Sequence, residues 1–324
     1  EGDGFTVAVT VKVGHINEPK LGIASVYEKI LMLQNPNVQT VYGGTITSYL
    51  TGGMTEEEAF EKLEELANLV NNPVLSPELL NEAVTDIIRH TRDRNVLPRR
   101  QLKLLYKHTA FNGHQIWDTE AYIQSLLSIS VGDLQNLHDT YYTGKNLVVS
   151  FSGRTKEDVV LAQIRQIFES VPAGEEQKAG LPVYTGGYAV LQGSEPAFNR
   201  VLIGWDVTTL SNVAEANVLM SMISGRLDRS FVDSGIDATT EVKIAGYYGC
   251  RTLRVAAECA ANFEMNRLLD VICRNISRLK NELASERRME TSRNVAMTEK
   301  LFKFGDPEAA AVEIAWQILR HGEM

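Results

Sequence analysis

Histidine is scarce in this 324-residue chain, and the six that occur stand apart. His15, His90, His108, His114, His138 and His321 contain no pair three or four positions apart. That is the spacing at which two imidazoles share a helical face and hold one metal ion, so a helical zinc site of that kind is excluded. Cysteine is scarcer still, with only Cys250, Cys259 and Cys273. There is no C-x-x-C pair, and an odd number does not suggest a disulfide framework, so all three read as buried or half-buried thiols. This usage fits a reducing compartment and a cysteine-poor bacterial envelope alike. Lys and Arg number 32 against 41 Asp and Glu, a net charge of -9, which argues against the clustered basic surface of a nucleic-acid binder. No apolar run approaches the roughly 20 residues of a membrane span. A G-x-S-x-G elbow is missing too, and the short Gly turns "GGMT" and "SGR" lack the lysine of a phosphate loop.

What is present points to a soluble globular protein of more than one domain, with 44% hydrophobic and 23% charged residues. The chain enters a strand almost at once, in "FTVAVTVKV", so a leader or an earlier strand is expected upstream. A helix follows at 22–32, then a β-type segment, "YGGTITSYLTGG", between glycine turns. "MTEEEAFEKLEELANLVNN" is an amphipathic helix capped by Thr55, with Phe60, Leu63, Leu66, Ala67 and Val70 on one face. "LSPELLNEAVTDIIRHTRDR" is another, with Ser76 as N-cap and Pro77 in its first turn. Three more helices, a buried strand "NLVVSFSG" and a closing helix complete this half.

Gly, Pro and charge then concentrate at 172–188, the composition of a linker. Beyond it the plan restarts: strand "NRVLIGWDV", a long helix, two strands around a glycine turn, and a run of helices. We expect a divergent duplication whose second copy lacks the last helix, strand and helix of the first. The predicted division is a first domain at 1–175, a linker at 176–188 and an incomplete second domain at 189–324.

Several stretches carry a resemblance. "AFNGHQIWDTEAYIQSLLSISVGDLQNLHDTYYTGKNLVVSFSG" runs from a Phe-x-Gly-His turn to an Asn-led strand. "YGGTITSYLT" matches a Gly-Gly-x-x-Asn-Ala segment with Thr47 and Ser48 at its end, "NNPVLSPELLNEAV" matches a helix-linking turn, and "SGRLDRSFVDSGI" is close to a Ser-Arg-Leu-Phe segment. In their order along the chain they resemble the M16 peptidases: insulin-degrading and pitrilysin-type enzymes, mitochondrial processing peptidase, and the core proteins of the cytochrome bc1 complex. The resemblance implies an α+β fold of two tandem homologous α/β-sandwich domains, each a mainly antiparallel sheet with helices packed on it.

It also implies where zinc would bind. The family motif H-x-x-E-H falls on Ser25, Val26, Tyr27, Glu28 and Lys29, so only the Glu is kept. The third ligand position falls on Arg89, beside His90. A hydroxyl, an ammonium and a guanidinium make a poor zinc shell, and Glu28 is then a base without a metal-bound water to activate. The simplest reading of Glu28 is a solvated helix residue, or one paired with Arg89 or with a lysine. Arg226 is a relic of the residues that hold the substrate carbonyl, and the tyrosine of that pair falls near Ala238. His114 belongs to the family's turn and reads as structural.

The resemblance therefore implies a non-catalytic member without zinc or other cofactor. Its expected role is a structural or partner subunit in a homodimer, or in a heterodimer with a zinc-bearing relative. Extended peptides are a second class of expected ligand; nucleic acid and a membrane span are not expected. Two other functions stay open: a zinc endopeptidase with an atypical site, and a peptide-binding module that uses a strand edge. A bacterial cytoplasm or periplasm, or a mitochondrion, would suit such a protein.

Overall fold

The computed structural model describes residues 4–53, 55–111, 118–177, 183–191, 198–207, 213–247, 250–261, 265–281 and 285–321. Contacts group the chain into two compact units. The first comprises Glu1–Asn95, Asp118–Leu181 and Phe302–Met324; the second comprises Val96–Trp117 and Pro182–Leu301.

The first unit is built on strand β1 (Phe5–Val11), helix α1 (Ile23–Gln34), and strands β2 (Gln39–Tyr42), β3 (Thr47–Gly53) and β4 (Leu147–Ser152). Its sheet has the order β2-β3-β1-β4, antiparallel throughout. Alternation along β1 sorts the side chains: Val7, Val9 and Val11 enter the main core, while Ala8 joins Leu50 on the opposite face. Helix α2 (Glu56–Asn71) covers the first face. Its capping box is complete: Thr55 accepts from the Glu58 amide, and the Glu58 carboxylate accepts from the Thr55 amide. Leu63, Leu66, Ala67 and Val70 are buried, and Phe60 packs on Phe151. Helix α3 (Pro77–Asn95) begins where Ser76 Oγ accepts from the Leu79 amide, and it packs on α1. Helices α5 (Thr119–Leu127), α6 (Val131–Tyr141) and α7 (Glu157–Phe168) also belong to this unit.

The second unit repeats the connectivity. Strand β5 (Phe198–Asp206), helix α8 (Val213–Asp233) and strands β6 (Ala238–Tyr247) and β7 (Cys250–Ala260) give a sheet of order β5-β7-β6. Strand, helix and antiparallel pair follow each other as β1, α1, β2 and β3 do, and the two later strands pair in the same way. Val201, Ile203, Val255 and Ala257 face α8 and helix α9 (Met265–Asn281), which buries Leu268, Val271 and Ile272. Among the described residues, no strand flanks β5 in the place that β4 takes beside β1.

Contacts divide the chain less simply than a cut at 176–188. Helix α4 (Pro98–Ala110) belongs to the second unit. The last described helix, α11 (Pro307–His321), follows α10 (Glu286–Gly305) and belongs to the first unit. The reason lies in α11's surface: Ala310, Ala311 and Ala315 are buried small side chains that let the helix lie close on β1 and β4. Trp316 Nε1 donates to Ser48 Oγ at 3.3 Å. The expected linker is partly pinned, since Gly144 and Lys145 amides donate to Pro172 and Ala173 carbonyls; 178–182 lie outside the described residues. Strand β4, expected to be buried, is a half-buried edge strand. Strand β2, four residues long, is too short to carry a period of its own and was legible only as the approach to the glycine turn.

Candidate functional site

Helix α1 starts at a strained turn. Gly22 has φ 88°, and a Cβ there would lie 2.7 Å from Leu126 Cδ2 and 2.9 Å from a Tyr122 ring carbon. Only glycine suits that position. Glu18 then serves as the helix's N-terminal anion: its carboxylate accepts from the Gly22 amide at 2.6 Å and the Ala24 amide at 2.9 Å. These are amides without partners inside the helix, and they lie at its positive end. Burial nevertheless pushes the Glu18 carboxyl up to about 7, against the pull of the two amides.

Val26, Tyr27, Ile30 and Leu31 turn into the core. The Tyr27 hydroxyl bonds to His138 Nδ1 at 2.7 Å and its ring lies 4.5 Å from that of Tyr142, whose hydroxyl meets Tyr49's at 2.6 Å. This aromatic cluster fixes the helix on the sheet. Ser25, Glu28 and Lys29 take the other side and are half-buried. Ser25 faces Tyr42 and Tyr122, whose hydroxyls are held above their usual range by burial and by the charges of Glu18 and Glu28. Thr40 of β2 donates to Glu28 Oε1. Burial raises the Glu28 carboxyl, while Thr40 and the Lys29 charge oppose that rise. Lys29 reaches α3, with its Nζ 2.6 Å from Asp86 Oδ2.

Asp86 is the hub of the far wall. It holds Lys29, Arg89 and, at 3.6 Å, His90, and Lys29 before all draws its carboxyl below the usual range. The structure thus brings together four of the residues singled out in the sequence, but with different partners. Glu28 is half-buried and not paired with Arg89: it is bonded to Thr40, and Arg89 is bonded to Asp86. An open recess lined by Lys29, Leu33, Asn81, Glu82, Asp86 and Arg89 marks the spot. Its donor set does not fit zinc. At the positions where the resemblance expects ligands stand a hydroxyl, an ammonium already 2.6 Å from a carboxylate and an exposed guanidinium, and each is a weak or repelled donor. Among the described residues, no three His, Cys, Asp or Glu side chains gather as a metal ion requires. Arg226 lies on α8 and Ala238 opens β6, both in the second unit; His114 lies outside the described residues.

The family model described as "Peptidase M16 inactive domain" matches residues 128–296, more than half of the chain. The chain belongs to this family. Among solved structures, it is similar to a protease from Helicobacter pylori, with 17% identity, 99% of this chain and 85% of that chain covered, and a TM-score of 0.83. It is also similar to a chain of complex III2 from Candida albicans, with 13% identity, 100% and 82% covered, and a TM-score of 0.85. A peptidase M16 inactive domain from Pseudomonas fluorescens gives 12% identity, 98% and 82% covered, and a TM-score of 0.81. No curated protein matches the chain by sequence. At these identities the structural likenesses establish the M16 fold: α+β, with antiparallel sheets and helices packed on them.

Glu18, Thr40, Tyr42, Asp86 and Tyr122 were not singled out in the sequence. Asp86 had a signal, since it lies three residues before Arg89 and four before His90 on one helix face. The others come from a loop, a four-residue strand and a distant helix, and no periodicity announces them.

Proposed function

We propose that the chain is a non-catalytic M16 protein that acts as a structural or partner subunit beside a second M16-like chain. One observation carries this reading: Lys29, which the resemblance sets at a zinc-ligand position, makes an ion pair with Asp86. An ammonium there supplies positive charge without a Lewis acid, and Glu28, bonded to Thr40, has no activated water to deprotonate. The family description, an inactive domain, agrees with this reading. The partner half of the proposal draws support from helix α10, which exposes Met297, Leu301 and Phe302, large apolar side chains that a second chain would cover. The test is co-purification of the native protein followed by identification of what accompanies it. An M16-like chain in stoichiometric amount supports the reading; a protein that elutes alone as a monomer at micromolar concentration, and binds no such relative, contradicts it.

A further inference from the structure

Strand β5 takes in the second unit the place that β1 takes in the first, yet the two strands are covered differently. β1 lies between β3 and β4, and its Val7, Val9 and Val11 are fully buried. β5 pairs with β7 on one side, over all nine residues and without a bulge. Among the described residues, no strand lies on its other side, and none of the nine from Phe198 to Asp206 is buried. Val201, Ile203 and Trp205 pack on the unit's core but stay partly exposed, and Phe198 is 59% exposed. An open edge of this length invites another strand, and folded proteins usually guard it with a proline, a lysine, a bulge or a short strand. β5 has none of these. The Tyr184 hydroxyl does reach it from outside the sheet and donates to the Gly204 carbonyl at 2.9 Å. A carbonyl oxygen has two lone pairs, so this contact does not close the strand.

The strand is also complementary to itself. A two-fold axis through Ile203 sets two copies antiparallel, with Ile203 opposite Ile203, Val201 opposite Trp205, Leu202 opposite Gly204 and Arg200 opposite Asp206. Facing residues share a side of the sheet. Val201, Ile203 and Trp205 of the two copies therefore form one apolar row, continuous with the core that each strand already touches. On the other side a guanidinium meets a carboxylate at both ends of the pairing. Arg200 Nη1 already bonds to Glu258 at 3.0 Å, and a guanidinium has further N–H groups to offer. Other registers fit less well. Moving the pairing by two residues sets Asp206 against Leu202 in one direction and against Phe198 in the other. A shift of one residue turns the apolar row of one copy to the wrong side.

We propose that two copies of this chain associate edge to edge through β5, antiparallel about Ile203, and join their second sheets into one sheet of order β6-β7-β5-β5-β7-β6. The inference rests on the partner-subunit reading and makes it specific: the second M16-like chain is another copy of this one, and the surface is the outer edge of β5. Main-chain hydrogen bonds supply the attraction, while the apolar row and the two Arg200–Asp206 pairs set the register.

The test is sedimentation velocity of the full chain over a range of concentrations, with a charge exchange across the two-fold axis. The wild type should pass from monomer to dimer as concentration rises. Asp206→Arg sets arginine against arginine twice in each dimer, and Arg200→Asp sets aspartate against aspartate twice. Each should weaken self-association at least about tenfold. An equimolar mixture of the two variants again pairs opposite charges at both ends, and should dimerise close to the wild-type level. A loss of folding in either variant alone could not produce that recovery. A second readout needs no charge change. Ile203 faces its own copy, at a separation that a disulfide spans, so Ile203→Cys should form a dimer linked between the two substituted positions on mild oxidation, mapped by mass spectrometry. A dimer that neither charge variant weakens, with no link at position 203, overturns the β5 interface and leaves the partner-subunit reading standing. A monomer that binds a related M16 chain has the same meaning. A monomer that binds no such chain overturns both.

Discussion

Lys29 and Glu28 are neighbours in sequence and opposites in situation. Lys29 spans to Asp86, with both side chains largely covered, while Glu28 is enclosed with a neutral hydroxyl as its partner. For Glu28 the buried charge is a burden, because burial raises its carboxyl above the ordinary value. Glu28→Gln keeps the shape and removes the charge, so near neutral pH it should leave stability unchanged or raise it by up to about 1 kcal/mol. Chemical denaturation measures this, and a loss of several kcal/mol would mean the carboxylate holds something other than Thr40. Gly22→Ala should act the other way. It forces a Cβ onto Leu126 and Tyr122 at positive φ, and should destabilise by roughly 2 to 4 kcal/mol. A denaturation midpoint like that of the wild type would contradict this account of the turn.

At the scale of elements, α1 depends on Glu18, and this dependence has a pH signature. The folded carboxyl titrates at about 7 and the free one at 4.5. Raised in the folded state, Glu18 is protonated in both states below 4.5 and imposes no penalty there. Between 4.5 and 7 the unfolded chain releases this proton first, so stability falls with rising pH, by at most about 3 kcal/mol, and then levels. Asp133 has the opposite sign. Bonds from Lys20 and Ser130 hold it at about 2, so its contribution is present above 3.8 and lost as pH falls toward 2. Denaturation from pH 4.5 to 7 should show the falling slope in the wild type and a flatter profile in Glu18→Gln; identical profiles would remove Glu18 from the account. Helices α2 and α3 were legible in the sequence because their caps and apolar stripes are local. The hub at Asp86 was less legible, since its meaning depends on α1 and α3 lying side by side. Helix α11 was legible as a helix and not in its placement: its alanines show that something comes close, but not which sheet.

In the molecule as a whole, the order strand, helix, strand pair occurs once in each unit, and α4 and α11 each pack outside the half in which their sequence lies. That repetition was visible in the order of strand, helix and strand pair, and the M16 resemblance was carried by motifs spread over both halves. The central proposal is that this plan persists here without its metal chemistry, because Ser25, Lys29 and Arg89 stand where the resemblance expects the ligands and Lys29 is committed to Asp86. The most direct measurement is the zinc content of the purified full chain after extensive dialysis, combined with incubation of the same sample with an unfolded polypeptide. We predict zinc well below one per chain and no cleavage, with or without added zinc. About one tightly held zinc per chain, together with cleavage that a chelator stops and Glu28→Gln abolishes, would contradict it.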